Sequence, residues 1–225
     1  MLSSKIKASI VHKNPLARRG TQVTLSIWKK DIEVIAEAKN ISDLLELLVG
    51  KDTDILLLDI NLPSMDGFIS LQEIKKIRPT TRVLMTGLKN DDKETIIKAM
   101  EMDASSCIFT ASKPEEIYEI IKGVFEKEVH FSEIISNALL KDLHKKPDSN
   151  LGMTTDSRKE KELTEQERKY LLLMCEQKST KDIATIFNLG TRRIEAIRDN
   201  LKEKIGAKTT AGLVIYAIKA KIVEA

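Results

Sequence analysis

The 225 residues are 42% hydrophobic and 32% charged, with a formal net charge of +3; such a chain is too apolar to be disordered and long enough for one or two domains. No apolar run approaches the ~20 residues that span a bilayer and neither end reads as a signal peptide, so the sequence points to the cytoplasm and away from a membrane. Cys107 and Cys175 stand far apart with no Cys or His beside them, which excludes a metal-ligand spacing or a disulfide framework and leaves two buried thiols as the expectation.

The first 125 residues alternate strand and helix signals. Short Ile, Val and Leu runs at 6–11, 33–38, 55–58, 82–85 and 106–109 suit strands buried on both faces. Helical patterns lie between them. Asn14 caps a first helix that opens on Pro15, and Leu44, Leu45, Leu47 and Leu48 give the second its apolar face. Leu71, Ile74 and Ile77 mark the third, which stops before Pro79. Ile96, Ile97 and Met100 mark the fourth, preceded by Asp91 and Asp92 as a solvated cap. Pro114 opens the fifth, with Ile117, Ile120, Ile121 and Val124. Five such β-α units predict a doubly wound, five-stranded parallel sheet, with reactive groups at the C-terminal ends of its strands.

Residues 127–162 read as a linker holding one helix, within 128–143, followed by a polar stretch with Pro147 and Gly152. From 163 to 225 the pattern is four-helical. Thr164 with Glu167, and Ser179 with Asp182, have capping-box spacing. Asn188-Leu189-Gly190 breaks the second of these helices. A third runs from about 191 to 205 with Ile194, Ile197, Leu201 and Ile205 on one face, and Gly206 suits its stop. The fourth runs from about 211 to 222. Basic and acidic residues balance at 18 each over residues 1–125 but stand at 12 against 8 over 163–225. Two short helices joined by a tight turn in a basic module predict a helix-turn-helix.

Five stretches carry a family resemblance. D-I-L-L-L-D-I-N-L-P-S-M-D-G (54–67), V-H-K-N-P-L-A-R-R-G (11–20), and L-T-E-Q-E-R (163–168) with K-D-I-A (181–184) and K-T-T-A-G-L-V-I-Y-A-I (208–218) together resemble a two-domain bacterial response regulator of the NarL/FixJ (LuxR-type) family. The resemblance implies a flavodoxin-like receiver domain over 1–126 and a LuxR-type DNA-binding domain over 163–225. It implies Asp59 as the phospho-acceptor position and Thr86 as the hydroxyl that senses a phosphoryl group. It implies double-stranded DNA as partner and leaves a partner histidine kinase open; a homodimer is expected because one helix-turn-helix reads only a few base pairs.

The same comparison exposes gaps. The family has two acidic residues where His12 and Lys13 stand, a lysine where Thr110 stands, and often an aromatic residue where Cys107 stands. Transfer of a phosphoryl group to a carboxylate needs its crowded negative charge neutralised, usually by Mg²⁺ on oxygen ligands. Without the acidic pair, Mg²⁺ binding is expected to be weak or absent, and no cofactor is expected. Lys13 is read as a built-in counter-ion for Asp59, with solvent exposure as its alternative. His12 is read as a turn histidine rather than a ligand, Thr86 equally as a strand-end hydroxyl, and Cys107 as a core residue.

The expectation is therefore a transcription regulator independent of phosphorylation. A conventional phospho-Asp59 switch and an interaction scaffold that has lost DNA binding are the alternatives. No catalytic base, nucleophile pair or glycine-rich phosphate loop suggests an enzyme. In the third helix of the C-terminal module, Arg192, Glu195, Ala196 and Asp199 fall away from the apolar stripe and are candidates to face bases. Arg193, Arg198, Lys202, Lys204 and Lys208 are candidates for phosphate contact.

Overall fold

The computed structural model describes residues 5–62, 66–127, 129–145, 163–220 and 222–223. The chain divides after Phe125 into two compact units.

In the first unit five strands form one parallel sheet: β1 (Ile6–Val11), β2 (Ile32–Ala38), β3 (Ile55–Asp59), β4 (Arg82–Leu88) and β5 (Ser106–Phe109), in the order β2-β1-β3-β4-β5. Every residue of β3 is buried, as a central strand covered on both faces requires. Alternate residues feed opposite faces. Ile55 and Leu57 join Ile6, Ile10, Leu84 and Ile108 in a core closed by Leu25 of α1 (Pro15–Ser26) and by Ile120, Ile121 and Val124 of α5 (Pro114–Lys127). Leu56 and Leu58 point the other way and are equally buried, as are Leu44 of α2 (Ile41–Leu47), Leu71 and Ile74 of α3 (Gly67–Ile77), and Ile96 and Met100 of α4 (Lys93–Glu101). The predicted caps of this unit form. Asn14 Oδ1 accepts from Leu16 N–H at 2.9 Å, and Asp92 accepts from Thr95 at the start of α4.

This strand order has one consequence for function. The order of winding reverses between β1 and β3, so their C-terminal ends are neighbours, and such a switch point leaves a crevice beyond the strands. Val11 is in register with Leu58, and Asp59 with Thr86. The turn after β1 is thereby set against Asp59.

The linker helix is α6 (Glu133–Lys145); the polar stretch expected after it lies outside the described residues. The C-terminal helices are α7 (Glu165–Cys175), α8 (Thr180–Phe187), α9 (Thr191–Ile205) and α10 (Thr210–Lys219). Tyr170, Leu171, Ile183, Ile194, Leu201 and Leu213 are among the residues that close their shared core. Both capping boxes form, at Thr164 with Glu167 and at Ser179 with Asp182. Between α8 and α9 the left-handed residue is Asn188, with φ of +52°, while Gly190 is extended. The turn therefore uses the αL tolerance of asparagine rather than of its glycine.

Candidate functional site

The receiver-type site is built from the ends of three strands. Asp59 closes β3, and its side chain is 3% exposed. Oδ2 has no hydrogen-bond partner among the described residues. His12 Nε2 lies 3.5 Å from it, within ion-pair range yet without a hydrogen bond. The ring is held from behind. Asn14 N–H donates to His12 Nδ1 at 3.0 Å, and Arg18 Nη1 donates to the His12 carbonyl at 2.7 Å and to that of Lys13 at 3.3 Å. A ring nitrogen that accepts carries no proton, so the neutral ring bears its proton on Nε2, on the side of Asp59.

Lys13 does not take the place expected of it. Its side chain is exposed and makes no ion pair with Asp59; the turn that follows β1 turns His12 inward and Lys13 outward. The counter-ion reading of Lys13 is corrected to its solvent-exposed alternative, and His12, a partly exposed turn histidine, is the residue within ion-pair range of Asp59.

Thr86 is half-buried, one strand away from Asp59, and its carbonyl accepts from Ile60 N–H. Thr110 is exposed just beyond β5. Cys107 is fully buried within β5, and burial pushes its thiol up to about 12, so it is a protonated core residue.

Gly87 is a site residue that the sequence reading missed. It has φ of +85° at a register shift in β4, and a Cβ there would stand 2.7 Å from Asp59 Oδ1. A glycine inside a strand run was the available signal.

In the C-terminal unit, Arg192, Arg193, Glu195, Ala196 and Asp199 are exposed on α9. Asn200 and Glu203, one turn further along, are exposed as well; four-residue spacing from Ala196 and Asp199 would have found them. Arg198 and Lys202 are half-buried, and Arg198 Nε lies 3.5 Å from Asp199 Oδ1. Lys208 is exposed beyond α9. Lys204 is not a free surface cation. Its ammonium sits 2.6 Å from Glu167 Oε2 with only 24% of the side chain exposed, so it joins α9 to α7 instead of offering itself to a phosphate. Ile215 is 1% exposed, and Tyr216 packs on the module core.

The comparisons with known proteins agree with this two-part geometry. Residues 8–122 match the response regulator receiver domain, and residues 161–217 match the bacterial regulatory proteins of the luxR family. The chain belongs to the response regulators that join these two domains. It is similar to the transcriptional regulatory protein MctR of Rhizobium johnstonii, 28% identical with 97% of this chain and 96% of that protein covered. It is also similar to the oxygen regulatory protein NreC of Staphylococcus aureus, 24% identical with 97% and 100% covered. Among solved structures, the two-component response regulator RcsB in its complex with DNA shares the fold, with a TM-score of 0.55, 18% identity, and 96% and 99% of the two chains covered. As a response regulator of this type, the protein is a DNA-binding transcription factor and not an enzyme. No helix among the described residues is long and apolar enough to cross a membrane.

Receivers of the family imply Mg²⁺ beside the phospho-acceptor. The residues of this response regulator do not fit it. Mg²⁺ requires near-octahedral oxygen donors, and here one carboxylate faces an imidazole nitrogen that carries a proton. Were Nε2 to ligate any metal, the neutral ring would need its proton on Nδ1, which already accepts from Asn14. No group of three or more His, Cys, Asp or Glu residues that could hold a metal exists among the described residues.

Proposed function

We infer that this response regulator controls transcription without phosphorylation of Asp59. The observation that carries the reading is the His12–Asp59 contact at 3.5 Å, with the protonated ring nitrogen toward the carboxylate. Acceptance of a phosphoryl group would replace the single negative charge of the carboxylate with the two of an acyl phosphate in this buried corner. The cation that ordinarily offsets them has no ligand set, and Thr110, exposed and neutral, stands where a lysine clamp would reach them. Removal of such electrostatic stabilisation costs several kcal/mol of transition-state free energy.

The DNA-binding function is assigned to the C-terminal module, with α9 as the helix that enters the major groove. Arg192, Glu195, Ala196 and Asp199 face the bases, and Arg193, Arg198, Lys202 and Lys208 face phosphates. The response regulator acts as a homodimer, because one helix-turn-helix reads too few base pairs for useful specificity. RcsB, which shares the fold, has been described as two dimers bound to two parallel DNAs.

The test is incubation of the full chain with acetyl phosphate and Mg²⁺, followed by intact-mass measurement. No mass gain is expected. A stoichiometric adduct that disappears in Asp59→Asn would establish the conventional phospho-switch instead. A gel shift on random genomic fragments separates both from a scaffold, which would retard none.

A further inference from the structure

We propose that the β1–α1 turn of this receiver is operated by a proton, with His12 as the group that takes it up. The inference rests on the phosphorylation-independent reading above and names what would drive the site in place of a phosphoryl group.

Two contacts of one ring oppose each other. In the neutral ring Nδ1 accepts from Asn14 N–H at 3.0 Å, and Nε2–H stops 3.5 Å short of Asp59 Oδ2. A second proton goes onto Nδ1 and turns it from acceptor into donor. Two donors then face each other across 3.0 Å, and Asn14 N–H loses its partner. The same proton makes the ring cationic beside a carboxylate that is 3% exposed and whose Oδ2 has no hydrogen-bond partner among the described residues. Attraction between opposite charges in a buried setting is far stronger than in water. The neutral ring therefore holds the turn and leaves Asp59 unserved, whereas the charged ring closes on Asp59 and lets the turn go.

The arrangement around the ring favours this alternation. His12 is an exposed-enough proton acceptor, with 26% of its side chain open to solvent, and histidine is the side chain that titrates near neutrality. The charged groups on the neighbouring elements include Asp59 at the end of β3, Arg18 and Arg19 on α1, Lys13 in the turn itself, Glu37 on β2, Lys39 just beyond β2 and Asp43 on α2. Arg18 is directed at the main-chain carbonyls of His12 and Lys13. Lys39 is paired with Asp43 at 3.5 Å, and Lys13 is exposed. Among the described residues Asp59 is the one carboxylate within ion-pair range of the ring. The output is local and definite, because Asn14 also caps α1 by accepting from Leu16 N–H. Release of the turn loosens the first turn of that helix.

The experiment is a titration of the isotope-labelled full chain from about pH 8 to about pH 5.5, the range in which histidine changes charge, with the His12 ring and the Asn14 and Leu16 amides followed by NMR. The chain has three histidines, so the ring signals are assignable by substitution. The ring and both amides should move with one midpoint. Hydrogen exchange at Asn14, corrected for its intrinsic pH dependence, should rise about tenfold at the acid end as its acceptor is lost. In His12→Gln the Asn14 signal should lose most of this response, whereas in Asp59→Asn, where the charged ring has no carboxylate to close on, the response should persist with its midpoint moved to lower pH. Asn14 remaining protected while the His12 ring titrates would overturn the proposal, as would an unchanged Asn14 response in His12→Gln. The acetyl phosphate measurement is independent of this one, so an adduct on Asp59 would overturn the functional reading without deciding the titration.

Discussion

The ammonium of Lys204, in the last turn of α9, lies 2.6 Å from Glu167 Oε2 in the first turn of α7, and the same oxygen accepts from Thr164 N–H at 2.7 Å. One carboxylate oxygen thus completes a capping box and ties α9 to α7, the helix that opens the module.

Burial alone would raise the Glu167 carboxyl, but hydrogen bonds from Lys204 and Thr164 outweigh it and hold the group below its ordinary value of 4.5. A carboxyl lowered in the folded state contributes stability above its ordinary value and loses it as pH falls through the folded value. The module should therefore lose this contribution to stability below about pH 4.5, and Glu167→Gln should flatten that part of the pH profile. Lys204→Met should destabilise the module by about 1–2 kcal/mol, as expected for a charge-assisted, partly buried hydrogen bond. Thermal melts across acid pH measure both.

In the receiver Lys13 and Asp59 should behave as residues that are not paired with each other. Lys13→Ala should change stability by no more than about 0.5 kcal/mol, since its side chain is exposed and unpaired with Asp59. Asp59→Asn should stabilise the receiver by roughly 1 kcal/mol, because it removes charge from a buried carboxylate with an orphan oxygen. Urea unfolding of the two variants decides this. A loss of more than about 1 kcal/mol in Lys13→Ala would restore the counter-ion role to Lys13.

Gly87→Ala should cost about 2 kcal/mol or more. The new methyl would meet Asp59 Oδ1 at 2.7 Å, and the backbone there has φ of +85°. In the Asp59→Ala background the clash is gone and only the backbone strain remains. The cost should then fall to about 1 kcal/mol, and the difference between the two costs is a coupling that a double-mutant cycle reads.

The sheet, its strands and the four C-terminal helices were legible because each rests on local chemistry: Leu-rich runs of strand length, Asn14 before Pro15, Thr164 three residues ahead of Glu167. Asp59 was legible because it ends such a run. What was not legible is which way a turn residue points. His12 and Lys13 are adjacent and both basic, and the choice of which meets Asp59 is made by the register of β1 beside β3 and by Asn14 and Arg18 fixing the turn. The place of Lys204 was hidden for the same reason. By helical periodicity it is a flanking cation, and only the packing of α7 on α9 supplies Glu167 as its partner.

The cations of α9 that touch DNA should be separable from those that do not. Affinity selection of random duplexes with the full chain, followed by a salt titration on the selected site, gives a slope that counts phosphate contacts at about 0.9 log units each per decade of salt. Arg193 is exposed and should count, so Arg193→Ala should weaken binding to all sequences and flatten the slope by about one unit. Lys204 is engaged by Glu167, and Lys204→Met should leave the slope within about 0.3 units of the parent while it lowers stability. Glu195 is exposed on the same face as Ala196 and Asp199. A carboxylate only accepts hydrogen bonds, so opposite a base it favours the amino group of cytosine and is repelled by the acceptors of guanine and thymine. Glu195→Gln adds a donor and removes that repulsion. It should raise affinity for unselected DNA and relax the preference at one half-site position by about 1–2 kcal/mol, with the rest of the site unchanged. Equal flattening by Arg193→Ala and Lys204→Met would show that Lys204 abandons Glu167 for a phosphate in the complex, and an unaltered preference in Glu195→Gln would remove Glu195 from the base-reading face.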